Sequence, residues 1–219
     1  IFVIILSTIS NYYSLNLKGT SYLEFVVPGI VIMIVMQTSY QNISETLINM
    51  KQIGSFNDYL ISPISRIEIL FSLIFSSVFI GLFIGFFSIL LLNFFVKFNS
   101  INYYSVIYYL ILTSLIFSSI GAIVGFLSYT WDIQNSISNF IVLPISFLSG
   151  TFFSINSISS KWIFLFDSNP FFHLVNNFRR SFNIEYNINI YQEAFLLLIT
   201  SFFIIISIYI YNKGYRVIH

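Results

Sequence analysis

Five stretches of this chain are too long and too apolar for a water-soluble fold: about Pro28–Asn49, Ile67–Val96, Val106–Ser128, Asn135–Phe153 and Ile190–Tyr211. Roughly 20 apolar residues cross a bilayer as a helix, and each run approaches or exceeds that length. Composition agrees. Only 8% of residues are charged, against roughly 25% in a soluble domain, so too few charges exist to coat a water-facing surface. The expected fold is an all-α polytopic membrane protein. The apolar stretch Ile1–Ser10 reads as the remnant of a sixth, first span in an N-terminally trimmed chain.

The polar residues inside this pattern are the informative ones. A loop over Asn11–Glu24 carries Tyr12, Tyr13 and Tyr22, ring types that favour the membrane interface. Pro28 falls near the expected start of the second span, where a missing N–H costs least. The second half of that span holds Gln37, Ser39, Gln41, Asn42, Ser44 and Glu45, which a lipid-facing helix would not tolerate. Two readings stand. These groups bond neighbouring helices or reach the headgroups, or Gln37, Gln41 and Glu45 line a polar pathway. Glu45, near a helix end, is either solvated or paired, or it is a proton site.

After that span the chain leaves the membrane. Ile53, Phe56 and Leu60 recur at spacings of three and four between Lys51, Gln52, Ser55, Asn57 and Asp58, the pattern of a short amphipathic helix. Ser62-Pro63 ends it, because a residue before proline disfavours helix. Ser65-Arg66-Ile67-Glu68 then fits a capping box opening the third span. Such a helix is either an ordinary interfacial element or a docking surface. Ser77, Gly81 and Gly85 in the third span, and Gly121 and Gly125 in the fourth, permit close helix approach, more readily within one bundle than at a dimer seam.

The stretch Phe140–Phe182 is a span with an interrupted continuation. Pro144 predicts a kink, and Ser149-Gly150 a break. Ser159–Phe166 forms a short apolar piece with Trp162 as an interface anchor. Asn169 and Pro170 then supply an N-cap and a first helical residue. Phe171, Leu174, Val175, Phe178 and Phe182 share a face opposite Asn176, Asn177 and Arg180. Two half-length pieces beside a full span read as a re-entrant helical hairpin dipping into one membrane face.

Several chemistries are excluded or lack any signal. The chain has no cysteine, so disulfides and thiolate metal sites are impossible. No phosphate-binding G-x-x-x-x-G-K-[ST] loop, H-E-x-x-H or G-x-S-x-G occurs. His173 has no sequence-local partner and reads as an interfacial polar residue. A net charge of +1 gives no reason to expect nucleic acid. Lys51, Arg66, Lys213 and Arg216 on one side balance Lys18, Lys97, Lys161, Arg179 and Arg180 on the other, so charge does not orient the chain.

Two segments carry a family resemblance. One is Tyr59-Leu60-Ile61-Ser62-Pro63-Ile64-Ser65-Arg66-Ile67-Glu68-Ile69. The other runs from Asp132 to Phe182 and contains Leu143-Pro144, Leu148-Ser149-Gly150-Thr151-Phe152-Phe153, Asn169-Pro170-Phe171 and Phe178-Arg179. In order and spacing they resemble the transmembrane permease subunits of ABC-2 type transporters. Where that family often has prolines before its short helices, Ser159-Ser160-Lys161-Trp162 keeps only the tryptophan.

The resemblance implies one transmembrane domain over residues 1–219. It implies a cytoplasmic coupling helix around Ile53–Ile61, including Phe56, Asp58, Tyr59 and Leu60, with Pro63, Ser65, Arg66 and Glu68 passing motion into the third span. It places 49–66 inside and 154–190 outside. The re-entrant hairpin, with Pro144, Gly150, Trp162, Asn169 and Pro170, would then lie near an outer exit. Arg179 and Arg180 would face the outer headgroups, as anchors or as contacts for anionic substrate or lipid phosphate. The implied partners are a cytoplasmic ATP-binding cassette subunit, a second copy of the permease or a paralogue, and membrane lipids. No cofactor is expected on this chain, ATP and Mg being held by the partner. The implied activity is export of an amphipathic, lipid-linked, polysaccharide or drug-like substrate across a bacterial cytoplasmic membrane. The alternative is a membrane-embedded enzyme, or an ion-coupled carrier or channel, without an ATPase.

Overall fold

The computed structural model describes residues 22–94, 96, 98, 101–152, 164, 166, 168–182 and 189–213. Among them every regular element is helical. In chain order these are α1 (Tyr22–Ile53), α2 (Phe56–Ile61), α3 (Arg66–Asn93), α4 (Tyr103–Leu127), α5 (Trp131–Ile137), a π-helical turn (Ser138–Val142), α6 (Leu143–Leu148), α7 (Pro170–Arg180) and α8 (Ile190–Asn212). The starts are written locally. Asn102, Asn169 and Asn189 each accept a hydrogen bond from a backbone N–H in the first turn they open, which satisfies a donor that lipid would leave unpaired.

Four helices, α1, α3, α4 and α8, are long and apolar enough to cross a membrane. The expected first span lies outside the described residues. The expected fifth is a composite of α5, the π-helical turn and α6, running from Trp131 to Leu148. At ~1.5 Å per residue it is about 27 Å long, close to the roughly 30 Å hydrocarbon core.

The central element is α1, packed between α3 and α4, with α7 and the α5–α6 composite also against it. Small residues set these approaches. A Cβ on Gly81 would strike the Ser39 and Ser114 hydroxyls, and one on Gly121 would strike the Tyr40 carbonyl. One on Gly85 would come within 2.9 Å of Leu110, and one on Gly125 within 2.8 Å of Leu47. The glycine sets therefore act inside one bundle. Phe75, Phe79, Phe83 and Phe87 of α3 and Leu197, Leu198, Phe202 and Ile205 of α8 are exposed, the faces a bilayer would solvate.

Three expected boundaries move. The second span starts at Tyr22, inside the expected loop, so Pro28 sits in the second turn of α1. It tolerates that place because only the bond to the Glu24 carbonyl is forfeited. At its other end α1 runs on to Ile53 rather than ending near Asn49. The fifth stretch begins at Trp131, not Asn135. The kink expected at Pro144 takes the form of a π-turn just before it. Leu143 N–H bonds to the Ser138 carbonyl, five residues back. Pro144 has no N–H for the Phe140 carbonyl, and a widened turn accommodates its ring. Gly150, at φ +76°, then closes the composite, a conformation that favours glycine.

Replacing Gly121 by valine forces a side chain onto the Tyr40 carbonyl. The expected cost is about 1–3 kcal/mol, read as a fall in the Tm of the detergent-solubilised chain, whereas lipid-facing Leu198→Val leaves Tm nearly unchanged.

Candidate functional site

Gln37, Gln41 and Glu45 lie four residues apart on one half-buried face of α1. Several neighbours are paired. Thr38 and Thr46 donate to the Ile34 and Asn42 carbonyls, and Ser77 donates to Asn42 Oδ1 at 2.8 Å. The side chains of Gln37, Gln41 and Glu45 make no hydrogen bond among the described residues. Three polar side chains over two helical turns, neither buried in protein nor tolerable in lipid, require water or a polar partner alongside them.

The end of α1 carries the second cluster. Lys51 Nζ donates to the Gly125, Phe126 and Ser128 carbonyls at 2.8, 2.6 and 3.2 Å. Those oxygens belong to the last turn of α4 and to Ser128, which caps its end, where helical carbonyls lack intrahelical partners and a cation is favoured. Trp131 Nε1 donates to Gln52 Oε1 at 2.7 Å. Gly54, at φ +82°, then breaks the helix. The expected amphipathic helix therefore does not start at Ile53. That residue closes α1 and is 72% exposed, while Phe56, opening α2, is 2% exposed, so the two do not share a face. The left-handed glycine between them resets the helical phase.

Phe56 is the buried foot of α2. Its ring meets Tyr211 edge-on at 6.2 Å, and Tyr211 stacks on Phe126 at 4.9 Å with the planes 10° apart. Asn57, Asp58, Tyr59 and Ile61 are exposed, as are Pro63 and Ile64. Ser65 and Glu68 form the expected capping box, with Ser65 N donating to Glu68 Oε2 at 2.9 Å and Glu68 N to Ser65 Oγ at 3.3 Å. Arg66 Nη1 donates to the Asn212 carbonyl at 3.1 Å, strapping the start of α3 to the end of α8. Leu60 is in α2, by backbone position.

At the opposite end, Asn169 caps α7 by accepting from Phe171 N at 3.0 Å, with Pro170 as first residue. The first limb of the expected hairpin, including Trp162, lies outside the described residues apart from Phe164 and Phe166. The expectation that Arg179 faces the headgroups does not hold. Arg179 is 9% exposed. Its Nε donates to the Phe25 carbonyl at 2.8 Å, and its Nη2 to the Gly150 and Thr151 carbonyls at 2.9 and 3.2 Å. Its guanidinium lies 3.7 Å from the centre of the Phe25 ring. Arg179 follows Val175 by four residues and so extends the apolar face of α7 inward, whereas Arg180 is exposed. Nearby, Glu193 Oε1 accepts from Tyr109 OH and from Asn177 Nδ2, the latter at 3.2 Å, which ties α4, α7 and α8 together. His173 packs edge-on to Phe195 at 6.5 Å.

The profile of the ABC-2 type transporter family matches residues 1–183. The chain belongs to the ABC-2 type transporter family. Its relatives include the inner membrane transport permease YadH of Escherichia coli strain K12 and the protein of the same name in Shigella flexneri. Each is 27% identical over 167 residues, which cover 76% of this chain and 65% of the relative. The chain thus spans somewhat less than two thirds of those relatives' length. With four span-capable helices among the described residues, this ABC-2 family member is a multi-pass protein of the inner membrane.

In this family member, the sequence pattern did not reveal the Lys51 cap, the Arg66–Asn212 strap or the Glu193 junction. Gly54, directly after a helical run, was the available signal for the break before Phe56. Arg179→Met should leave the buried Gly150 and Thr151 carbonyls without this donor at about 1–3 kcal/mol each, collapsing the yield of monodisperse protein in size-exclusion chromatography. Arg180→Met should elute as wild type.

Proposed function

We propose that this chain is the permease subunit of an ATP-driven exporter, with residues 1–219 forming one transmembrane domain. The observation that carries the reading is the architecture of the 49–66 segment. It is a short helix footed in the bundle by Phe56, with Ile53, Tyr59, Ile61 and Ile64 directed outward beside Asn57 and Asp58. An apolar, partly charged knob of this kind at the end of a membrane bundle suits insertion into a groove of a cytoplasmic protein. Family membership supports taking that protein to be an ATP-binding cassette subunit, which would hold ATP and Mg. Hydrolysis would then occur on the partner, and this chain would be a transport subunit rather than an enzyme.

On this reading the 49–66 end is cytoplasmic and the α7 end faces outward. The half-buried Gln37–Gln41–Glu45 stripe would line the pathway, completed by a second copy of the chain or a paralogue. Alternating rearrangement of the two permeases would expose that path to each side in turn. The cargo class is amphipathic, lipid-linked, polysaccharide or drug-like, and Arg180, exposed at the outer end, is placed to meet anionic headgroups. The hairpin beside the exit would be completed by Ser159–Phe166 and Trp162.

The test is co-purification. The full chain carrying Ile61→Asp or Tyr59→Asp should lose its ATP-binding subunit in affinity pull-down while keeping its elution volume and Tm. Retention of the subunit by both variants would refute the docking assignment.

A further inference from the structure

The α2 helix is covalently flanked by α1 and α3, so the obvious route for any load on it is the Pro63 hinge into α3. The packing shows a second route. Among exposed neighbours Phe56 is buried, and it contacts Tyr211, the penultimate residue of α8, 155 positions away in sequence. Tyr211 is itself 1% exposed and lies flat on Phe126, at the end of α4. The same cluster includes Ile43 and Leu47 of α1 and Ile69, Leu70 and Ile74 of α3. A second link runs parallel to the aromatic one, since Arg66 Nη1 holds the Asn212 carbonyl at 3.1 Å.

From this geometry we infer that Phe56 is a positioning residue: a ball seated in a Tyr211–Phe126 socket that carries displacement of α2 directly into the last membrane helix, α8, and into α4. The inference rests on the proposed role of α2 as the partner-facing helix and names the path taken beyond it. The physical grounds are three. Close-packed aromatic contacts are stiff, because interiors have few voids to absorb a shift. An edge-on pair contributes attraction beyond its buried area. Finally, Gly54 at φ +82° and Pro63 flank α2, so its covalent connections bend more easily than its foot yields. The α8 helix is exposed to lipid along Leu197, Leu198, Phe202 and Ile205, and the socket, with the Arg66–Asn212 and Ser207–Ser119 bonds, anchors it at this end of the bundle.

The experiment uses amide hydrogen exchange on the full chain in nanodiscs, bound to its co-purified ATP-binding subunit, with and without ATP plus vanadate. In the wild type, vanadate trapping should change exchange in α2, at the start of α3 and in the last turn of α8. Phe56→Ala should keep the subunit bound and keep the response in α2 and α3, but weaken it in α8, where the Arg66–Asn212 link remains. Phe56→Leu, which refills most of the socket, should restore it. In the absence of nucleotide, a Phe56→Ala/Tyr211→Ala double-mutant cycle should show non-additive opening of the α8 end, by roughly three- to tenfold in exchange rate. An α8 response in Phe56→Ala equal to the wild type overturns the inference while leaving the docking assignment intact. Additive opening in the cycle overturns it as well. Failure of any ATP-binding subunit to co-purify with the wild type defeats the proposed function, and the transmission path with it.

Discussion

A cation held inside a membrane bundle must find oxygen, because neither water nor lipid will neutralise it there. This chain meets the requirement twice with the same chemistry. Arg179 is satisfied by the Phe25, Gly150 and Thr151 carbonyls, and Lys51 by the carbonyls of Gly125, Phe126 and Ser128. Lys51 in turn supplies donors to carbonyls at the end of α4, and Arg179 to those of the Gly150–Thr151 turn that closes α6. The two sites sit at opposite ends of α1. Together with the Trp131–Gln52 bond, they also fix both ends of the α5–α6 composite against α1. Gly29 belongs to the same design, since a Cβ there would fall 2.8 Å from the Thr151 carbonyl and 3.0 Å from Arg179.

Between its fixed ends the composite turns Ser138, Val142 and Ser146 inward and other side chains outward. Phe140 is 81% exposed and Ile141 is exposed beside it, and the π-turn interrupts the regular ladder just before Pro144. The opposite side of the composite faces inward, and Val142 joins the same core as Val31, Ile32 and Leu174. Where α1 meets α3 and α4, glycine and serine contacts bring the helices closest.

What the sequence disclosed follows how local each determinant is. The Ser65–Glu68 capping box, the Asn169-Pro170 restart, the Gly150 stop and the small-residue approaches are settled within a few residues, so spacing and residue type were enough. Phase errors arose where one residue changes the backbone course. Gly54 separates Ile53 from Phe56, and a continuous helical wheel across it pairs residues that point apart. Tertiary cations were misread for a different reason. Arg179 beside Arg180 looks like a headgroup anchor in one dimension, and only the Gly150–Thr151 turn and Phe25, far away in sequence, turn it inward. The Tyr109–Glu193–Asn177 junction has no sequence signal, because its members come from three separate helices.

In the proposed function the two ends of the bundle are chemically distinct and oppositely placed, with α2 in the cytoplasm and the end of α7 outside. The chain has no native cysteine, so single cysteines report position cleanly. Ile61→Cys should react with a membrane-impermeant maleimide only after the cells are permeabilised, and Arg180→Cys should react in intact cells. Labelling of Ile61→Cys from outside, with protection of Arg180→Cys, would contradict the account.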